Sequence, residues 1–361
     1  MLDRLASLGE PAALPVIIER TSGLVVDRLV AAGHPVVPVH PTAFWAARPR
    51  WGACGAKSDA GDSDKLADYL GTDGHRLRRL DRSDLGLWEL QALVRLREDH
   101  LRARTAASRK LGALLEGHWP RAKAVFSRLA SPIALAFLAD YPTPRPPPGS
   151  ARPAWPACCR RHSSRGGKPP AVLLARLRSA PTAPVGIPPA TLATLVHAQI
   201  QLLRTLLVTI AELEAVIATR VACHPRAKLL AALPGVGTSN LAQLLAEVGP
   251  ILDRVPSAEH AAAECGAAPV TKASGKTSGV YFRWAANRRA GKALTAFAHN
   301  SRLASPWAGR LDADARGKRN PHATRIVARA WLRVIWACWR QATPYNPALH
   351  TTAVRAAALP T

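Results

Sequence analysis

The chain has 361 residues, 48% of them hydrophobic, which is enough to fill two or three cores and too apolar for a disordered tail. Its 49 Lys and Arg against 24 Asp and Glu leave a net charge of +25, which in a folded protein selects a polyanion, most simply nucleic acid. No stretch reaches the roughly 18 uncharged apolar residues of a membrane span, Asp3 and Glu10 argue against a signal peptide, and the six cysteines show no metal-binding spacing, so a reduced cytoplasmic, nucleoid-associated protein is expected.

In chain order, the apolar runs Pro15–Arg20 and Pro35–His40 flank a helical stretch over 24–32, which predicts a strand-helix-strand unit and a parallel pair. A helix follows over 58–70 with Ser58 as its N-cap. The segment 87–115 reads as a long helix carrying Arg95, Arg97, Arg102, Arg104, Arg109 and Lys110, either a solvated face or a polyanion contact. Between 141 and 170 prolines crowd among arginines, as in a linker or disordered insert. Over 191–221 apolar residues recur by threes and fours, the spacing of a helix-helix seam.

Two helical segments then meet at Pro234-Gly235-Val236-Gly237-Thr238, a helix-hairpin-helix pattern whose glycines let main-chain N–H groups approach a phosphate. A Ser-Gly loop, Lys272 to Gly279, comes about forty residues later. Last is a tryptophan-rich helix over 322–339, in which Trp331, Trp336 and Trp339 read as core rather than as a base-stacking platform.

Two constellations carry chemistry. Glu19 at the end of a strand and Asp59 and Asp62 at a helix start gather carboxylates that suit Mg²⁺, although Asp at a helix start is also a cap. Ser274, or Ser278, sits among Lys272, Lys276, Arg283, Arg288 and Arg289; such a serine is either a turn residue or a nucleophile toward a phosphodiester whose charge those cations hold.

The ordered set of Pro-Gly-Val-Gly, Gly266-Ala-Ala-Pro269, Ser274-Gly275, Phe282-Arg-Trp-Ala-Ala-Asn-Arg288, Ser305-Pro-Trp307 and the segment from His322 to Trp331 resembles the transposases of the IS110 family of insertion sequences. Glu19-Arg-Thr-Ser-Gly23 and Lys57-Ser-Asp-Ala-Gly-Asp62 are similar to that family's later acidic blocks.

The resemblance implies an α/β plus α fold. A RuvC-like, RNase H-like domain would span 1–120, a helical or coiled-coil region 121–222, and a mainly helical C-terminal transposase domain 223–345. It implies a DEDD tetrad with Glu19, Asp59 and Asp62 on Mg²⁺, a nucleophilic Ser274, DNA and a structured guide RNA as partners, and a homo-oligomer. The family's first strand and its Asp precede the matching region, so the first domain is expected to be incomplete. The alternatives are a DNA-binding remnant without chemistry and a junction-resolving nuclease using the carboxylates alone.

Overall fold

The computed structural model describes residues 1–52, 58–80, 85–144, 187–314 and 320–348, together with 175 and 179. The chain divides into two compact units, 1–85 and 86–361.

In the first unit, helix α1 (Leu2–Ala6) leads to strand β1 (Val16–Ile18), helix α2 (Leu24–Ala31), strand β2 (Val36–Pro38), helix α3 (Pro41–Ala47) and helix α4 (Asp59–Asp73). The strands pair in parallel, Val16 opposite Val36 and Ile18 opposite Pro38, as the strand-helix-strand pattern predicts. Val26 and Leu29 of α2 bury onto Val36, with Val16, Ile18 and Leu80 around them. Ser58 caps α4, its hydroxyl accepting the Gly61 N–H at 3.1 Å.

The second unit is built on two long helices, α5 (Leu85–His118) and α8 (Pro189–Cys223), with the short helices α6 (Pro120–Val125) and α7 (Pro132–Asp140) between them in sequence. Each long helix serves two cores. Leu111 and Leu115 of α5 and Val196, Ile200 and Leu203 of α8 pack with Trp119, Phe137 and Leu138 in one. Leu90 and Val94 of α5 and Ile217 and Val221 of α8 enter the other, larger one. The three-four spacing read over 191–221 is therefore a seam, with Val196, Ile200, Leu203, Ile210 and Ile217 buried. Of the proline-rich segment 141–170, only Tyr141 to Pro144 fall within the described residues.

The larger core continues through α9 (Ala227–Ala231), α10 (Thr238–Gln243), a π-helical turn (Leu244–Val248), α11 (Gly249–Arg254) and α12 (Ala258–Glu264). Strands β3 (Val270–Ser274) and β4 (Thr277–Tyr281) follow, then α13 (Arg288–Ala304), α14 (Pro306–Asp314) and α15 (Asn320–Arg340). Trp331 is fully buried and donates its indole N–H to Ser301 Oγ at 2.7 Å, while Trp339 donates to Asp253 Oδ1 at 2.8 Å. Both satisfy the polar edge that a buried indole carries into a core.

One expectation is corrected. The segment 272–279, read as a Ser-Gly loop, is an antiparallel hairpin in which Val270 faces Tyr281 and Ser274 faces Thr277. β-Branched and aromatic residues favour extended backbone here, and Gly275, at φ +55°, supplies the left-handed residue that a two-residue turn needs. The serine, glycine and lysines have the composition of a loop, which masks the alternation of the two short strands.

Candidate functional site

In the first unit, Glu19 follows the last residue of β1, and Asp59 and Asp62 stand one turn apart at the start of α4. The fold brings all three to one cavity of about 830 Å³, shared with Ser22, Trp45 and Arg48. Arg48, which the sequence reading missed, donates to Asp62 Oδ2. Its guanidinium lies 4.9 Å from the Trp45 ring centre and 5.4 Å from that of Phe44. Asp62 Oδ1 and Arg48 Nε are buried without a hydrogen-bond partner. The carboxylates share a cavity without converging: among the described residues no three His, Cys, Asp or Glu side chains are grouped closely enough to hold a metal ion.

In the second unit, the Pro-Gly-Val-Gly turn joins α9 to α10, with the Val236 N–H bonded to Leu233 O at 3.2 Å. Its two glycines differ. Gly235 has φ +73° and lies so close to α13 that an added Cβ would sit 3.1 Å from Asn300 O and 3.3 Å from Ala304 Cβ. Gly237 is exposed, caps α10 with extended backbone, and has nothing within 4 Å of its Cβ position. Gly235 is thus needed by the fold, and Gly237 is the one open to a ligand.

Beyond that turn the helix takes its π-helical step, which displaces backbone acceptors from regular partners. Gln91 of α5 donates to the Ala246 carbonyl there at 2.7 Å. Arg95 grips the buried Glu247 carboxylate with two bonds of 2.7 and 3.0 Å, and that hydrogen bonding raises the arginine's own pKa.

The basic run on α5 is partly spent inside the fold. Arg95 holds Glu247, Arg97 holds Glu214, and Arg102 holds Glu98 and Asp99. Burial opposes ionisation of Glu98, but the bonds from Lys292 and Arg102 outweigh it and keep the carboxyl below its usual range. Arg104, Arg109 and Lys110 have no ion-pair partner among the described residues.

Ser274 closes β3 at the tip of the hairpin, exposed, with Lys272 and Lys276 beside it in sequence. Among the described residues nothing hydrogen-bonds its hydroxyl, while its carbonyl accepts from Thr277 Oγ1 at 2.9 Å. The ammonium of Lys272 lies 5.5 Å from the Tyr281 ring centre. Nearly every hairpin side chain faces solvent, Val280 at 67% and Tyr281 at 55% exposure. A free-standing two-stranded hairpin of this kind is marginal until something covers it.

Arg283 and Arg288 follow the hairpin, at a second cavity of about 720 Å³ that also takes in Phe282, Trp284 and Arg325. Cys265 borders it, but burial pushes its thiol up to about 12, so it stays protonated and inert at neutral pH. The sequence reading did not single out Trp284 or Arg325. The available signal for Trp284 was the aromatic-arginine interleaving of Phe282-Arg-Trp284, whereas Arg325 reaches Phe282 only through the fold.

Among the described residues no helix is long and apolar enough to cross a membrane. Two family models match the chain: one described as a transposase over residues 1–120, and one described as the transposase IS116/IS110/IS902 family over residues 227–311. The IS117 mini-circle candidate transposase of Streptomyces coelicolor is 30% identical over 320 residues, covering 85% of this chain and 76% of that protein. An uncharacterized 42 kDa protein of insertion element IS900 from Mycobacterium paratuberculosis is 29% identical, over 92% of this chain and 83% of its own length. An uncharacterized 43.6 kDa protein of insertion element IS110, also from Streptomyces coelicolor, is 28% identical, over 96% and 82%.

Proposed function

The chain belongs to the IS116/IS110/IS902 family of transposases, encoded by insertion sequences and acting on DNA, and we propose that it cuts and rejoins DNA strands through Ser274. What supports this is the placement of that serine: an exposed hydroxyl at the tip of a protruding hairpin, between two lysines, where a DNA backbone can reach it without entering a cleft. In the step, Ser274 Oγ attacks the phosphorus and gives up its proton as the new O–P bond forms. The bond from phosphorus to the leaving sugar oxygen breaks, and that oxygen takes up a proton. Lys272 and Lys276 offset the negative charge that builds on the phosphoryl oxygens.

The hard oxygen donors Glu19, Asp59 and Asp62 fit Mg²⁺ in kind, and the orphaned Asp62 Oδ1 offers a buried acceptor for it. Those three side chains stand too far apart to hold the ion as they are placed, and would do so only once drawn together and with Asp62 released from Arg48. Bound there, Mg²⁺ supplies positive charge to a phosphodiester in the same cavity. The open Gly237 end of the α9–α10 turn grips the DNA backbone through main-chain N–H groups, in the manner of a helix-hairpin-helix. Arg104, Arg109 and Lys110 are offered to a structured guide RNA. A homo-oligomer completes the reading. A second reading, a DNA-binding protein without chemistry, draws on the Arg48–Asp62 pair, which occupies one carboxylate.

The test is denaturant-resistant trapping of end-labelled DNA on the full chain with Mg²⁺ and its element's RNA. Ser274→Ala is expected to abolish the covalent adduct while duplex affinity stays within about twofold, since phosphate contacts dominate it. An undiminished adduct removes Ser274 from the assignment and puts Ser278 in its place. No adduct with the unaltered chain supports the second reading.

A further inference from the structure

Directly after the hairpin, the chain exposes aromatic surface that no packing requirement explains. Trp284 is 74% exposed and Phe282 44%. The two rings meet edge to face at 5.0 Å, and the Arg325 guanidinium lies 4.8 Å from the Phe282 ring centre. An indole left this far in water forgoes most of its burial energy, and such patches mark binding surfaces.

The cavity beside these rings also takes in Arg283, Arg288 and Lys292, and no carboxylate is among the described residues that line it. Lys292 is held by Glu98. Arg288 and Arg325 have no ion-pair partner among the described residues, and Arg283 Nε is buried without a hydrogen bond. Cations awaiting an anion beside an aromatic face are the two halves of a single-stranded nucleic-acid site: guanidinium for phosphate, ring for base. At about 720 Å³ the cavity lies in the size range of small-ligand sites, roughly 300–1,000 Å³. A second copy of a +25 chain would bring like charge to it. Duplex DNA keeps its base faces stacked on one another and offers none to an indole.

We propose that the Phe282–Trp284 surface stacks an unpaired DNA base, with Arg288 and Arg325 on the adjoining phosphates, and so holds a locally opened strand beside the reacting serine. The last clause rests on the assignment of Ser274. Phe282 follows Tyr281 at the base of the hairpin, and Ser274 is at its tip opposite Thr277, five residue steps from Phe282 along the strand. At ~3.4 Å per residue that is about 17 Å, or roughly five base steps. The strand is therefore held a few nucleotides from the phosphate that reacts.

The test measures binding of the full chain to a short DNA oligonucleotide as a single strand, to the same sequence as duplex, and to the RNA single strand. Trp284→Ala is expected to weaken single-stranded DNA binding roughly tenfold, the effect of losing a base-aromatic stack, and to leave duplex binding within about twofold. Trp284→Phe should retain most of the affinity. A 2-aminopurine in a one-nucleotide DNA bulge should be quenched by the unaltered chain and not by Trp284→Ala. The exposed position predicts unchanged thermal unfolding, which separates loss of a contact from loss of fold.

Undiminished single-stranded binding by Trp284→Ala, an equal loss on duplex, or a loss confined to RNA would each overturn the proposal. Those outcomes leave Ser274 untouched, because covalent trapping is scored separately. Failure of the unaltered chain to bind any DNA would overturn both.

Discussion

The two glycines of the Pro-Gly-Val-Gly turn separate fold from function, and replacing each by alanine should give opposite results. At Gly235 the backbone sits at φ +73°, where an L side chain costs about 1–2 kcal/mol. The new methyl would also stand 3.1 Å from Asn300 O and 3.3 Å from Asn300 C and Ala304 Cβ. Two of those three atoms are helix backbone, which yields little, so overpacking adds about 1 kcal/mol. Reduced freedom of the unfolded chain returns roughly 0.5 kcal/mol. Gly235→Ala should therefore destabilise the second unit by about 2 kcal/mol, or about 4–8 °C in Tm for a unit of this size.

At Gly237 the backbone is extended with φ −86°, and the methyl would meet nothing within 4 Å. Only the weaker capping by alanine is lost, about 0.5 kcal/mol. A phosphate approaching the exposed N–H groups, however, would collide with that methyl, so duplex affinity should fall several-fold in Gly237→Ala. Calorimetric unfolding and anisotropy with labelled duplex decide the two halves independently. A Gly235→Ala protein within about 0.5 kcal/mol of the parent would refute the steric argument. Unchanged duplex affinity in Gly237→Ala would refute phosphate gripping by this turn.

Glu247→Ala removes the carboxylate that Arg95 holds across the π-helical turn, and should cost roughly 2 kcal/mol. That is less than for a fully buried pair, because the Arg95 side chain is 40% exposed; chemical denaturation measures it. Glu259 accepts from Arg333 and Arg329, and those bonds hold its carboxyl below the usual range. A lowered carboxylate pKa contributes stability above the unfolded value, about 4.3, and loses it as the pH falls through the folded one. Tm should therefore drop between pH 6 and pH 3, less steeply in Glu259→Gln, and equal slopes in the two proteins would refute the linkage.

Much of the fold was legible because it follows local rules. The parallel pair around α2, the Ser58 cap and the buried seam of α8 all follow from periodicity and capping chemistry. The family was legible too, since ordered motifs such as Gly266-Ala-Ala-Pro269 survive in sequence whatever their contacts. The hairpin escaped because Ser274, Gly275 and the lysines carry turn-like composition over strands of only five residues each. Arg48 escaped because nothing in the chain order of 48 and 62 says that α3 delivers a guanidinium to Asp62.

The sequence by itself determined the charge, the helical and strand periods and the family, because these reside in composition and in neighbours a few residues apart. Tertiary structure decided which charges are free. Arg95, Arg97 and Arg102 look identical in sequence to Arg104 and Arg109, yet the first three meet carboxylates, two of them on elements more than a hundred residues away. It also decided which of the two glycines flanking Val236 the fold must keep, because α13 packed against the turn adds a steric cost to the positive φ of Gly235 and leaves Gly237 open. Those are distance-dependent quantities, and distance across a fold is not written in chain order.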